Sequence, residues 1–334
     1  MNYLLIEQLS KSYGEKELFS NITFGIDQGS KVALIARNGA GKSSLLNIIT
    51  GRDLPDSGSV TYRKDIRWAY LPQNPEMDDT KPVFDVLFES ENDYIRAIRN
   101  YERVLQQLKH NDTPEIHREL EICTNVMESL GAWDYDVRIK EILSRFKISD
   151  LEQTTGELSG GQRKKVALAK ALIEETDLLI LDEPTNHLDI EMIEWLEDYL
   201  SRQNLSLLVV THDRYFLDNV CNEILELDNN RLYRYKGNYA YFIEKKAERE
   251  VIEQTETDKA RGLYRQELEW MRRMPQARTT KSKARIDNFY EIQEKANRRT
   301  EKDTGSLEVK MTRIGGNVLE VNKGFKSFRG KTQV

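Results

Sequence analysis

Short apolar runs, each opened by one polar residue, at 31–35, 177–181 and 206–210 stand out from an otherwise polar chain. A run of this length that is apolar at successive rather than alternate positions predicts a strand covered on both faces. A helical pattern follows the first run at 43–50 and the second at 190–200. Strand and helix repeating in this order predict an α/β fold with a sheet that is largely parallel, in which functional groups gather at the carboxyl ends of the strands. The third run leads directly into Thr211 and His212.

Elsewhere the period changes. Between residues 92 and 148 the sequence is polar and helix-forming, with Tyr94, Ile98, Tyr101, Leu105 and Leu108 at helical spacing, which predicts an inserted helical arm. A second polar stretch runs from about 241 to 303. Ala260, Tyr264, Leu268 and Met271 mark one helical face in it, and Ile286, Phe289, Ile292 and Ala296 mark another. Pro275 lies between them and cannot continue a helix, so two antiparallel helices with a tip at 272–285 are expected. Gly305, Gly315 and Gly316 then loosen the chain. Beyond them Lys326-Ser327-Phe328-Arg329-Gly330-Lys331 echoes Lys11-Ser12-Tyr13-Gly14-Glu15-Lys16, as if a second copy of the N-terminal domain began there.

Composition sharpens this picture in two places. Over 334 residues, 50 Lys and Arg against 56 Asp and Glu leave a net charge of −6, which argues against a protein that binds nucleic acid over its whole surface. Yet from 272 to 285 there are six basic residues, Arg272, Arg273, Arg278, Lys281, Lys283 and Arg285, and no acidic one. Positive charge concentrated at the end of a hairpin suits a phosphate backbone. No apolar run approaches the roughly 20 residues that cross a bilayer, and the N-terminus has no signal-peptide pattern. Two cysteines, Cys123 and Cys221, form neither a zinc spacing nor a disulfide framework, so a cytoplasmic location is expected.

Chemistry is concentrated in three motifs. After the first strand comes Ala36-Arg37-Asn38-Gly39-Ala40-Gly41-Lys42-Ser43-Ser44 and then a helix. This is a phosphate-binding loop in which Ala36 stands in place of the first glycine, a neutral exchange provided that φ there is negative. Its backbone amides and helix N-terminus would cradle phosphates, Lys42 would reach the β- and γ-phosphates, and the Ser43 hydroxyl would serve Mg²⁺. The second strand ends in Asp182 and Glu183, two carboxylates that a buried strand does not carry without partners. Asp182 is expected in the Mg²⁺ shell, and Glu183 as the general base that activates water. The third motif, Leu158-Ser159-Gly160-Gly161-Gln162, lies shortly upstream.

These three motifs, in this order and spacing, resemble those of ATP-binding cassette proteins. The resemblance implies a P-loop cassette fold with a mixed sheet and ATP as ligand. It implies that Ser159, Gly160, Gly161 and Gln162 close over ATP held by a facing cassette, either a second one in a longer chain or a second copy. It implies that Tyr13 stacks on adenine, that Gln73 reaches Mg²⁺ and water, that Asp189 belongs to the loop that communicates across the paired cassettes, and that His212 contacts the γ-phosphate. The Thr185-Asn186-His187-Leu188-Asp189 wording, the long insertion after Gln73 and the charged hairpin are most similar to the ABC-F family. Within it, Lys236-Gly237-Asn238-Tyr239 and residues 277–285 look most like the Uup branch.

ABC-F membership implies a cassette over 1–240, a hairpin linker over 241–305 and a second cassette starting at 306, so the chain reads as the N-terminal half of a longer protein. It further implies an ATPase that is weak as a single cassette and acts on the ribosome, with the linker near rRNA and tRNA. Two alternatives are an ATPase subunit of a membrane transporter and a Uup-like DNA-binding ATPase outside translation.

Overall fold

The computed structural model describes residues 1–272, 288–290, 292–293, 326–328 and 331–333. The chain divides into two units, 1–247 and 248–334.

In the first unit β1 (Asn2–Tyr13), β2 (Lys16–Asp27) and β4 (Ser57–Tyr62) form an antiparallel sheet in the order β2-β1-β4. A second sheet has six strands in the order β5-β6-β7-β3-β8-β9. These are β3 (Lys31–Ala36), β5 (Trp68–Leu71), β6 (Leu178–Asp182), β7 (Ser206–Val210), β8 (Glu223–Asp228) and β9 (Arg231–Lys236). Its first five strands in space are parallel, and only β9 runs antiparallel, on β8. The three apolar runs are thus β3, β6 and β7; every residue of β6 and β7 is buried.

Period-2 alternation assigns successive residues of each strand to opposite faces. Val32, Leu34, Ile180, Leu208 and Val210 point into one core, shared with the small sheet (Leu4, Ile6, Phe19, Phe24) and with α1 (Lys42–Ile49). Ala33, Leu179, Leu181, Leu207 and Val209 point into the other. That second core is filled by α6 (Gly160–Ile173), α7 (Ile190–Arg202), α8 (Arg214–Val220) and the helices inserted after β5.

The insertion contains α2 (Val83–Leu87), α3 (Asp93–His110), α4 (Pro114–Leu130) and α5 (Trp133–Arg145). Side-chain oxygens of Asn92 and Thr113 cap α3 and α4, and Pro114 opens α4, where its missing N–H costs nothing. Of the residues marked at helical spacing on α3, Ile98 is fully buried, together with Ile95, Ala97 and Val104. Tyr94 and Tyr101 meet the rings of Tyr135 and Trp133, at 5.9 and 5.2 Å. Tyr101, Trp133 and Tyr135 are partly buried and pack against the same core.

The 34-residue helix α9 (Tyr239–Arg272) spans the boundary between the units. In the second unit, Thr257, Ala260, Tyr264 and Leu268 form its shielded stripe. Beyond Pro275, residues 288–290 are helical, and the Phe289 ring stacks on Tyr264 at 5.4 Å. Phe289, marked on the second predicted helix, thus packs on Tyr264, marked on the first. Near the C-terminus β10 (Lys326–Phe328) pairs antiparallel with β11 (Lys331–Gln333). Among the described residues no helix is long and apolar enough to cross a membrane.

Candidate nucleotide site

β3 ends at Ala36, which is buried and is absent from the positive-φ residues, so a glycine is not needed there. The chain then turns, with the Ala40 amide donating to the Arg37 carbonyl at 3.1 Å, and reaches Gly41 at φ +105°. Gly41 is the N-cap of α1, and a Cβ there would lie 3.0 Å from Leu18 Cβ. Conformation and space both demand glycine. The first residue of α1, Lys42, donates from Nζ to the Ala36 carbonyl at 2.8 Å and approaches His212 Nε2 at 2.9 Å.

On the adjoining strands β7 and β6, the carboxyl ends deliver His212 and the pair Asp182 and Glu183. Glu183 adopts φ +50°, uncommon for a residue with a Cβ, and its amide donates to the Val210 carbonyl at 2.7 Å. Its own carbonyl accepts from Lys164 Nζ at 2.5 Å. That turn aims the Glu183 carboxylate at His212, with Oε1 3.4 Å from Nε2.

The electrostatics follow from burial. Asp182 is 3% exposed, and desolvation, reinforced by the neighbouring Glu183 charge, pushes its carboxyl up to about 6 against the pull of Lys164 and Lys42. Desolvation likewise lowers Lys42 and Lys164 below the ordinary lysine value, opposed by the same two carboxylates. A buried cation, Lys164, and a half-buried one, Lys42, therefore face two buried anions, each at a cost that the others partly offset.

A cleft of about 590 Å³ opens at this strand edge. Of the residues singled out from sequence, Tyr13, Asn38, Gly39, Gly41, Lys42, Ser43, Ser44, Gln73, Asp182, Glu183 and His212 line it. They come from the β1–β2 hairpin, the loop after β3, α1 and the ends of β5, β6 and β7. Lys16, Leu18 and Asn186 also line it, and sequence reasoning missed them in that role. Asn186 stood inside a quoted motif; Lys16 carried no signal, because it reaches the cleft only through pairing opposite Tyr13, whence Nζ donates to the Gly39 carbonyl at 3.0 Å. Lys164 was missed too, being one of several basic residues on a helix.

Other expected residues lie elsewhere. Arg37 pairs with Asp228 at 3.7 Å, and Ala40 packs against the core. Ser159 and Gln162 form a capping box at the start of α6: the Gln162 amide donates to Ser159 Oγ at 3.3 Å and the Ser159 amide to Gln162 Oε1 at 2.9 Å. Ser159, Gly160 and Gln162 are exposed, and none of the Ser159–Gln162 group lines the cleft. Asp189 does not line it either. It caps α7 through the Met192 amide at 3.0 Å and pairs with Lys147 at 2.7 Å, which holds its carboxyl below the usual range. Of the six basic tip residues Arg272 ends α9; Arg273, Arg278, Lys281, Lys283 and Arg285 lie outside the described residues.

A loop, a strand-end carboxylate pair and a strand-end histidine meeting at one parallel sheet edge form a nucleotide site, and comparison with known proteins says of which kind. A family model described as "ABC transporter" matches residues 19–186, about half of the chain, and a second with the same description matches 225–308. The chain belongs to the ATP-binding cassette family. As such it binds nucleotide, and the extension match together with its relatives makes it an ABC-F cassette protein. One relative is the "Uncharacterized ABC transporter ATP-binding protein YfmR" of Bacillus subtilis, 40% identical over 100% of this chain and 53% of its own length. Another is the "Energy-dependent translational throttle protein EttA" of Mycobacterium tuberculosis, 34% identical over 98% of the chain and 59% of its length. The EttA of Escherichia coli K12 is 32% identical over 94% and 57%. The chain thus spans little more than half the length of these relatives. A solved "ATP binding subunit of ABC transporter" shares the cassette fold, with a TM-score of 0.52, 23% identity, and 70% of this chain and 90% of that one covered.

Proposed function

We propose that this chain is the N-terminal part of an ABC-F translation factor, a cassette that hydrolyses ATP when a second cassette faces it and that acts on the ribosome. The observation that carries the ATPase reading is the convergence of Lys42, Ser43, Gln73, Asp182, Glu183 and His212 on one cleft. The throttle relatives support the translation reading over a transporter subunit or a DNA-binding ATPase. The finer Uup-like reading rests on sequence wording alone.

The chemistry assigned to each residue is as follows. The amides of the loop and the N-terminus of α1 bind phosphate oxygens, and Lys42 places its ammonium among them. Ser43, Gln73 and Asp182 offer a hydroxyl, an amide oxygen and a carboxylate, a set of hard oxygen donors that fits Mg²⁺ and would hold it. When bound, that ion neutralises charge on the phosphates. Glu183 takes a proton from water as the water oxygen bonds to the γ-phosphorus and the bond to the β-phosphate oxygen breaks, releasing ADP. His212, beside both Lys42 and Glu183, positions that carboxylate against the γ-phosphate.

Ser159, Gly160 and Gly161 lie outside the cleft, which supports a role across an interface, over ATP held by a partner cassette. The proposed organisation is a cassette over 1–240, a linker over 241–305 and a second cassette from 306. The β10–β11 pairing supports it: Phe328 faces Lys331 as Tyr13 faces Lys16, and Ser327 faces Thr332 as Ser12 faces Glu17. The basic residues from Arg272 to Arg285 are assigned to rRNA and tRNA contact.

The test is co-sedimentation of Glu183→Gln with ribosomes, with and without ATP, at two salt concentrations. ATP-dependent pelleting that is weakened by neutralising Arg278, Lys281 and Lys283 is expected. Protein that binds ATP but stays in the supernatant, as this chain and as the full-length protein, would refute the ribosomal reading while leaving the ATP site standing.

A further inference from the structure

We propose that Asp53, bridged to Lys11, is a positioning residue that clamps the Tyr13 ring for stacking against the nucleotide base and ties that ring to the phosphate-binding helix. The inference rests on the reading of the cleft given above and adds to it the means by which the base is gripped.

Tyr13 ends β1, lines the cleft and is 54% exposed. A ring that exposed, at the end of a hairpin strand, would sample several rotamers and lose that freedom on stacking. Here it is held at its far end. The Tyr13 hydroxyl donates to Asp53 Oδ2 at 2.7 Å, and the other carboxylate oxygen, Oδ1, accepts from Lys11 Nζ at 3.0 Å. Lys11 is only 8% exposed, donates also to the Leu54 carbonyl at 2.6 Å, and lies 5.1 Å from the Tyr13 ring centroid. A buried ammonium so close to an aromatic ring adds a cation–π attraction to the hydrogen bond. The residue between them is fixed as well: the Ser12 amide and hydroxyl both donate to Asp56 Oδ2, at 2.7 and 2.6 Å. Three consecutive residues of β1 are therefore tied to the loop that follows α1.

That loop is anchored in turn. The amides of Arg52 and Asp53 donate to the Asn47 carbonyl in the last turn of α1, at 2.8 and 3.2 Å, and the Leu54 amide donates to Asp53 Oδ1 at 2.7 Å. The first turn of α1 carries Lys42 and Ser43. One short helix thus holds the phosphate subsite at its N-terminus and, through Asp53, the base platform at its C-terminus. Asp53 is held below the usual carboxylate range by the Tyr13 hydroxyl and Lys11, while Lys11 is raised by Asp53, so the pair stays ionised at neutral pH.

Binding is measured by calorimetry on the whole chain with two probes, ATP and inorganic tripolyphosphate, which has the phosphates but no base. Parent protein is expected to prefer ATP, and Tyr13→Ala to lose most of that preference. Asp53→Ala and Tyr13→Phe should each weaken ATP binding about three- to tenfold, the cost of immobilising one side chain on binding, with tripolyphosphate binding unchanged. The double variant should be no weaker than either single one, because both remove the same contact. Should Asp53→Ala fold poorly, Tyr13→Phe and Asp53→Asn make the same test. An unchanged ratio in Asp53→Ala and Tyr13→Phe, beside a collapsed one in Tyr13→Ala, would overturn the clamp and leave the stacking role intact. An equal loss for both probes would mean damage to α1 and would also overturn it. An unchanged ratio in Tyr13→Ala would remove the base platform itself, and a parent chain that binds neither probe would refute the nucleotide site.

Discussion

Replacing Asp182 by Asn should stabilise the nucleotide-free chain, and the size of the gain can be worked out. The Asp182 carboxyl moves from 3.8 to about 6 on folding because it is buried beside Glu183. At 1.36 kcal/mol per pKa unit, its ionised form costs the fold about 3 kcal/mol. The sign follows from proton linkage: between pH 4 and 6 the unfolded chain loses this proton before the folded one does, so stability falls as pH rises through that window and is level above it. Asn has the same shape and no charge to desolvate, so the Asp182→Asn gain should be about 3 kcal/mol at pH 7.5 and about 1 kcal/mol at pH 4.5. For a unit of 247 residues that is a rise in Tm on the order of 6–12 °C at the higher pH. Thermal unfolding followed by circular dichroism at the two pH values measures it. A variant no more stable than its parent at pH 7.5, or a gain that does not shrink on acidification, would refute the argument. The same substitution should abolish hydrolysis, making Asp182 a residue kept for function at a cost in stability.

Gly41→Ala places a Cβ at φ +105° and against Leu18, and should lower ATP affinity tenfold or more, measured by calorimetry. Ala36→Gly restores the common loop wording at a buried position with ordinary φ; ATP affinity should stay within about twofold while urea denaturation shows a loss of roughly 0.5–1 kcal/mol. Lys164→Met removes the donor to the Glu183 carbonyl and one of two cations beside the carboxylates; a loss of about 1–3 kcal/mol in the same denaturation assay is expected, with Lys164→Arg closer to the parent. Because Ser159–Gln162 do not line the cleft of their own cassette, ATPase rate should rise faster than linearly with the concentration of this chain, and a strictly linear rise at substantial specific activity would count against pairing.

Much of the site was legible in the residue order because its chemistry is local. A loop between strand and helix, and two carboxylates at a strand end, are short segments whose conformation their own residues impose. The apolar runs that became β3, β6 and β7 were legible for the same reason: a strand buried on both faces needs apolar side chains at every position. The shielded stripe of α9 around Tyr264 was read from its spacing, and Phe289, marked on the second predicted helix, packs on Tyr264.

Contacts between segments far apart in sequence were a different matter. The spacing marked α3 as a helix, but the contacts of Tyr94 and Tyr101 with rings on α5 were not legible in it, because they are set by a neighbouring helix rather than by period. Lys16 reaches the cleft through hairpin pairing, Lys164 reaches Glu183 from another helix, and Asp53 reaches Tyr13 across 40 positions. Asp189, read as part of the loop that communicates across paired cassettes, also caps α7 and binds Lys147, an ion pair across 42 positions that residue order does not show.

The sequence by itself therefore determined the class of chemistry, since backbone curl, helix polarity and the oxygen donors at strand ends are properties of contiguous residues. Only the tertiary structure decided which side chains share one cleft and which buried charges balance, because strand order juxtaposes residues that the chain separates, and desolvation is set by what surrounds a group rather than by what precedes it.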